Sequence, residues 1–270
     1  ALTALKKEHL DIGQDLALDS ASAKGAVKGS MEMEFPLYPE DAGLKQSTFE
    51  LMQYTIKADI RNASLQKIRK KWDVDSMSGT FSGTNKEILI KGNGNVQGVA
   101  SALDVDYNQA TSTVTYNLKG NVPVERLPAF DVSIPEQVEL SGVLGADVLM
   151  KETKAGEEVK ANLDLKSARM AVPDLNWVKE NGIPATMTIG YKQMPKAIEL
   201  PEISLQANDA TVKASATLNS DKDLIAAEVQ NFRFKRNDFS LSYRKDTAVK
   251  AVSLKGNALD LNAFKDPSDT

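Results

Sequence analysis

Strict period-two alternation constrains this chain more than any other feature. Met31-Glu32-Met33-Glu34-Phe35 and Tyr54-Thr55-Ile56-Lys57-Ala58-Asp59-Ile60 place apolar and polar residues in turn. Longer runs follow at Val99, Ser101, Leu103, Val105 and Tyr107, and at Val114, Tyr116 and Leu118. Others are Leu144, Ala146, Val148 and Met150, then Val159, Ala161, Leu163 and Leu165. The last third adds Met187, Ile189 and Tyr191, then Ala210, Val212, Ala214, Ala216 and Leu218, then Phe239, Leu241 and Tyr243. Successive side chains of a strand point to opposite faces, so each run predicts a strand with one apolar and one polar face.

Short polar segments separate the runs. Gly92-Asn93-Gly94-Asn95, Asn108-Gln109, Lys154-Ala155-Gly156-Glu157, Asn219-Ser220-Asp221-Lys222-Asp223 and Arg236-Asn237-Asp238 read as turns. Strands joined in this way predict an antiparallel meander and an all-β chain. Helical spacing is confined to Asn62–Trp72 (about two turns), Val124–Leu127 and Leu175–Glu180 (about one turn each). No such segment covers a sheet of many strands. The strands therefore cover one another as a sandwich or barrel, or form a folded sheet with a cleft between its faces.

Composition excludes most chemistry. There is no cysteine, which removes disulfide scaffolds, thiolate metal sites and cysteine nucleophiles. The single histidine, His9, follows Lys-Lys-Glu with no second ligand or base and reads as a surface residue. Thirty-three basic and 37 acidic residues are interspersed, with no stripe to hold nucleic acid. The densest basic run, Lys67-Ile68-Arg69-Lys70-Lys71, reads as a solvated face, with a headgroup contact as the lesser alternative. No window reaches the ~18 apolar residues of a membrane helix. The chain starts Ala-Leu-Thr, as expected of a mature product or an excised piece.

Apparent motifs dissolve on inspection. Gly92-Asn93-Gly94-Asn95-Val96-Gln97-Gly98 has the wrong spacing for a dinucleotide fingerprint and reads as a turn or bulge. Asp73-Val74-Asp75 opens like a calcium loop but lacks the distal bidentate Glu. Asp104 and Asp106 share the polar face of one strand, and Asn62-Ala63-Ser64 is only formally a glycosylation sequon. The expectation is a chain that is not an enzyme and has no cofactor or metal. Periodicity alone favours a closed β-sandwich, with an apolar surface for hydrocarbon chains as the sharper reading.

Weak repetition points to stacked β modules. Leu118-Lys119-Gly120-Asn121 recurs as Leu254-Lys255-Gly256-Asn257, and Ala58–Leu65 echoes Asp164–Val172. The order Leu200-Pro201-Glu202-Ile203-Ser204-Leu205, Ala210–Leu218, Val229-Gln230-Asn231-Phe232-Arg233-Phe234 and Val252–Leu261 resembles AsmA-like proteins of Gram-negative envelopes, in particular the YhdP-type branch. So does the passage from Val122-Pro123-Val124-Glu125-Arg126-Leu127-Pro128 to Leu140-Ser141-Gly142-Val143-Leu144-Gly145. The resemblance covers roughly residues 90 to 265.

That resemblance implies an internal, periplasmic segment of a long bridge-like lipid transfer protein. The parent is anchored in the inner membrane by an N-terminal helix that this chain lacks. The family fold is a long antiparallel meander forming an open, twisted trough with an apolar interior. Its implied partners are phospholipid or another acyl lipid, flanking segments of the parent chain, and both membranes through regions outside this chain.

The expectation is one elongated segment over 1–270, with module junctions near 62–72, 121–137 and 171–184. The residues expected to line the groove are Met31, Met33, Phe35, Ile56, Ile88, Ile90, Leu103, Val105, Val114, Tyr116, Leu118, Val148, Met150, Leu163, Leu165, Met187, Ile189, Leu205, Val212, Phe232, Phe234, Leu241, Val252 and Leu254. Lys119, Asp147, Lys151 and Lys213 are expected to face water. The competing readings are a closed sandwich or stalk module without lipid, a small-ligand or glycan-binding domain short of aromatics, and an outer-membrane barrel lacking a terminal aromatic strand.

Overall fold

The structure, a computed structural model, describes residues 23–34, 52–68, 72–246 and 249–260. Phe35 and His9 lie outside the described residues. The strands are β1 (Lys24–Glu34), β2 (Gln53–Ile68), β3 (Trp72–Thr84), β4 (Glu87–Val96), β5 (Val99–Asn108), β6 (Thr113–Pro123), β7 (Glu139–Thr153) and β8 (Gly156–Asp164). They continue as β9 (Ala168–Val172), β10 (Trp177–Lys179), β11 (Ala185–Gln193), β12 (Ala197–Ala207), β13 (Ala210–Asn219), β14 (Leu224–Phe234), β15 (Asn237–Lys245) and β16 (Lys250–Ala258). All belong to one open antiparallel sheet whose path follows chain order from β1 to β16, except that β9 and β10 leave the path and β8 pairs directly with β11. The all-β meander expected from alternation is thus observed. The chain divides into two compact units at Asn117/Leu118.

In the first unit, β5 shows the alternation most cleanly. Val99, Ser101, Leu103, Val105 and Tyr107 are buried, while Ala100, Asp104 and Asp106 are exposed. The Gly92–Asn95 turn expected from sequence does not form, because those residues lie inside β4. The reversal falls instead at Gln97 and Gly98, both at positive φ between the paired Val96 and Val99. This is the two-residue hairpin geometry that matches strand twist. Gly94 serves a different purpose: a Cβ there would sit 2.8 Å from the Cα of Met77 on β3. Its glycine permits close backbone approach rather than a turn.

The helix expected over Asn62–Trp72 is also absent. β2 runs on to Ile68 and β3 begins at Trp72. The register pairs Ile60 with Gly79, Ala63 with Met77, Leu65 with Val74, and Ile68 with Trp72, with irregularities at each step. Asn62 and Lys67 take positive φ there. These bulges insert extra residues, so apolar side chains three apart emerge on one strand face. The same spacing imitates a helix in the sequence.

In the second unit, the helical turn expected at Val124–Leu127 is observed as a longer 3-10 helix, Val124–Phe130, ended by left-handed Asp131. The helical turn expected at Leu175–Glu180 is replaced by a 3-10 turn at Pro173–Leu175 and by β10. Left-handed Asn176 separates the two. Besides β6, β7 pairs with β9 over Glu139–Gly142 and with β8 over Gly145–Thr153. Gly142, at positive φ, makes the switch; a Cβ there would approach the Ser167 carbonyl oxygen to 2.6 Å.

Candidate functional site

The register of the second unit joins its apolar side chains into rows that cross many strands. Directly opposed residues of antiparallel neighbours share a face. One row runs Leu163–Met187–Leu205–Val212–Phe232–Phe239 across β8, β11, β12, β13, β14 and β15. The next runs Val148–Ala161–Ile189–Ile203–Ala214–Val229–Leu241–Leu254 from β7 to β16. A third contains Met150, Val159 and Tyr191 on one side. It continues with Leu200, Ala216, Ala227, Tyr243 and Val252 on the other.

Two bulges hold these rows together. β12 is irregular between Leu200 and Ile203, and β14 between Val229 and Phe232. Each bulge turns residues three apart onto one face. Without them Ile203 and Phe232 would alternate away from Leu200 and Val229. Pro201 falls within the β12 bulge, where a missing N–H is tolerated.

One end of this face is covered. Met170 of β9, Trp177 of β10 and Val124 pack with Leu165, Ala185, Ala207, Ala210 and Phe234 into a dry cluster, flanked by Leu127, Ile134 and Val138. The indole N–H of Trp177 donates to Asp209 Oδ1 at 3.1 Å, tying the β9–β10 hairpin to the β12–β13 turn. Lys179, 3% exposed, donates from Nζ to the carbonyls of Leu165 and Ala168, the latter at 2.7 Å. Burial pushes its ammonium below the ordinary lysine value, while the charge of Asp164 pulls the other way.

Beyond that cluster the face opens. Ile189, Ile203, Ala214, Val229 and Leu241 are half-buried, and every residue of β13 after Ala210 is half-buried or exposed. A sheet covered on one face would show full burial at every second position. On β16 the apolar side chains are open, with Val252 at 64% and Leu254 at 43%. At the far ends of the strands the flanks of the same face are charged, where Glu152 pairs with Glu157 and Lys245 with Lys250, while Ile198, Leu218 and Leu224 keep it apolar between them.

The expected lining residues therefore fall into distinct groups. Leu163, Met187, Leu205, Val212 and Phe232 form one row, and Val148, Ile189, Leu241 and Leu254 belong to the next. Met150 and Val252 lie in the third. Leu165 and Phe234 belong to the covered cluster instead of the open face. Leu118, on β6, is buried.

In the first unit Met31, Ile56, Ile88 and Tyr107 share a row, as do Ile90 and Val105. Met33 opposes Tyr54. Ile88, Leu103, Val105, Val114 and Tyr116 are buried, whereas Met31 and Met33 are exposed. Ile203, Val229 and Phe239 lie on the open face without having been expected there. The bulges break the parity of the first two, and the alternating run Phe239-Leu241-Tyr243 was the available signal for the third.

The opposite face is charged. Lys119, Lys151 and Lys213 are exposed, and Lys119 pairs with Asp147 at 3.0 Å. Lys192 pairs with Glu158 at 2.9 Å and Lys160 with Glu202 at 3.0 Å. A shallow concavity of about 680 Å³ on this side is lined by Lys119, Asn121, Asp147, Asn162, Asp164, Thr186 and Thr188. It is open, and Ala146, Leu163 and Met187, the last two from the first apolar row, join its lining. Among the described residues no acidic or histidine cluster is arranged to hold a metal, and no helix is long and apolar enough to cross a membrane. Comparison with family models, curated proteins and solved structures finds no match.

Proposed function

We propose that this chain shields the acyl chains of phospholipid on the apolar face of its sheet, as a periplasmic segment of a bridge-like lipid transfer protein. The observation that carries the reading is the set of apolar rows in the second unit, in register across six or more strands and left half-open by the protein itself. Exposed apolar surface of this extent marks a binding surface.

Water charges about 0.8 kcal/mol for each exposed CH₂, so a 16-carbon tail stranded in solvent costs on the order of 12 kcal/mol. A continuous aliphatic surface removes most of that penalty. Many equivalent weak contacts suit a cargo that must leave again, whereas one tight pocket would hold it. Ala, Val, Ile and Leu with few polar atoms supply such contacts. The polar face, with its cross-strand ion pairs, keeps the outside of the sheet wet.

Native mass spectrometry of the purified protein tests the reading. Phospholipid adducts should accompany the wild type and fall away in Ile189→Asp and Leu241→Asp variants whose circular dichroism is unchanged. A protein that carries no lipid after purification from cells, and takes none up from vesicles, would sink it. The closed-sandwich alternative predicts the latter outcome.

A further inference from the structure

The apolar face of the second unit is polarised along the strand direction. It begins at the dry cluster beneath Trp177, passes through apolar rows, and on the β15–β16 flank ends at the opposed Lys245 and Lys250. A protein surface would meet such a face with scattered polarity. An amphiphile with a single polar end matches the order along that flank, from Phe239 through Leu241 and Tyr243 to Lys245: apolar, apolar, charged.

We infer that the β9–β10 hairpin is a stop for the methyl end of the acyl tail, so that tails lie along the strands with their headgroups at the Lys245–Lys250 end. The inference rests on the lipid-carrying reading above and adds to it an orientation and a length limit. From Ile189 to Gln193 the open part of β11 covers about 13 Å at a rise of ~3.3 Å per residue. A tail in one leaflet reaches about 15 Å, half of a ~30 Å hydrocarbon core. The open track and one extended tail therefore agree in length. Phe232 is the last partly open side chain before the cluster, and the Trp177–Asp209 hydrogen bond holds the stop against the sheet.

Trp177 provides the readout. In a Trp72→Phe variant it is the sole tryptophan. Phosphatidylcholine carrying a nitroxide near the methyl end of one tail should quench its fluorescence several-fold more than the same lipid labelled near the carbonyl. The unmodified protein gives a second measurement: a methyl-end diazirine lipid should crosslink to Met187 or Phe232, and a carbonyl-end diazirine to Tyr243 or Gln193. Equal or reversed quenching, or crosslinks in the opposite order, would overturn the stop while lipid adducts still upheld carriage. Loss of adducts, quenching and crosslinks together would overturn carriage, and the stop with it.

Discussion

Phe232 of β14 stacks on Phe239 of β15, with ring centroids 4.7 Å apart and planes inclined by 22°. The two rings occupy directly opposed positions in the row nearest the covered cluster. Offset aromatic pairs contribute about 0.5–1.5 kcal/mol beyond their buried area. A double-mutant cycle of Phe232→Ala and Phe239→Ala, read by urea unfolding, should return a coupling energy in that range. A coupling near zero would mean that the stack adds nothing beyond the separate burial of each ring.

Lys179 should be a stability residue. Replacing it by Met leaves the buried carbonyls of Leu165 and Ala168 without their charged donor, and a hydrogen bond to a charged group is worth about 1.5–3 kcal/mol. The variant should lose roughly that much in urea unfolding. The pH dependence has a definite sign. Burial lowers the native pKa of Lys179 below 10.5, so between the two values the unfolded chain holds more protons. The stability of the wild type relative to Lys179→Met should therefore rise with pH on approaching 10.5. A difference that falls over that interval would contradict the assignment.

The Glu158–Lys192 pair links β8 to β11 on the wet face. The Lys192 hydrogen bond and charge hold the Glu158 carboxyl below its ordinary value, and Glu158 holds Lys192 above its own. The pair's contribution is present above the ordinary glutamate range and fades as pH falls through the depressed value. It fades again as pH rises through the raised lysine value. Both side chains are about half exposed, so Lys192→Ala should shift the melting temperature only slightly at low salt and not at all in molar salt.

Gly94→Ala should destabilise the first unit by about 1–3 kcal/mol, the usual penalty for overpacking, because the new methyl meets backbone at Met77. A Gly98 substitution would test the adjacent turn but not this approach. Chemical denaturation of the Gly94 variant alone settles the point; an unchanged midpoint would contradict the close packing of β3 on β4.

Val252→Asp separates the two functional readings. Val252 is 64% exposed, so the change should alter stability by no more than about 0.5 kcal/mol. If the row it belongs to carries acyl chains, lipid uptake from vesicles should nonetheless drop. An unchanged uptake would remove β16 from the lipid-carrying face.

Much of the fold was legible because alternation is a direct image of a half-buried strand. Val99 to Tyr107 and Val114 to Leu118 read straight onto β5 and β6. What was illegible traces to bulges and to glycines. Ile60, Ala63, Leu65 and Ile68 look helical in one dimension because bulges add a residue between Ile60 and Ala63 and between Leu65 and Ile68. Gly94 looks like a turn residue because sequence does not distinguish freedom of φ from absence of Cβ. The lining of the face was legible strand by strand, but its division was not. That Leu165 and Phe234 are capped while Leu241 is open depends on the β9–β10 hairpin, a segment whose Trp177-Val178-Lys179 carries little periodic signal.

Apart from the β9–β10 excursion, each strand's partners along the sheet path are its neighbours in the chain. Such a sheet is close to one-dimensional: its stability is built from nearest-neighbour terms, and its contacts are local enough to zip from any well-formed hairpin. Hairpins can then be gained or lost in evolution at little cost to the remainder, so the number of strands becomes a quantity that selection can set independently of the local fold.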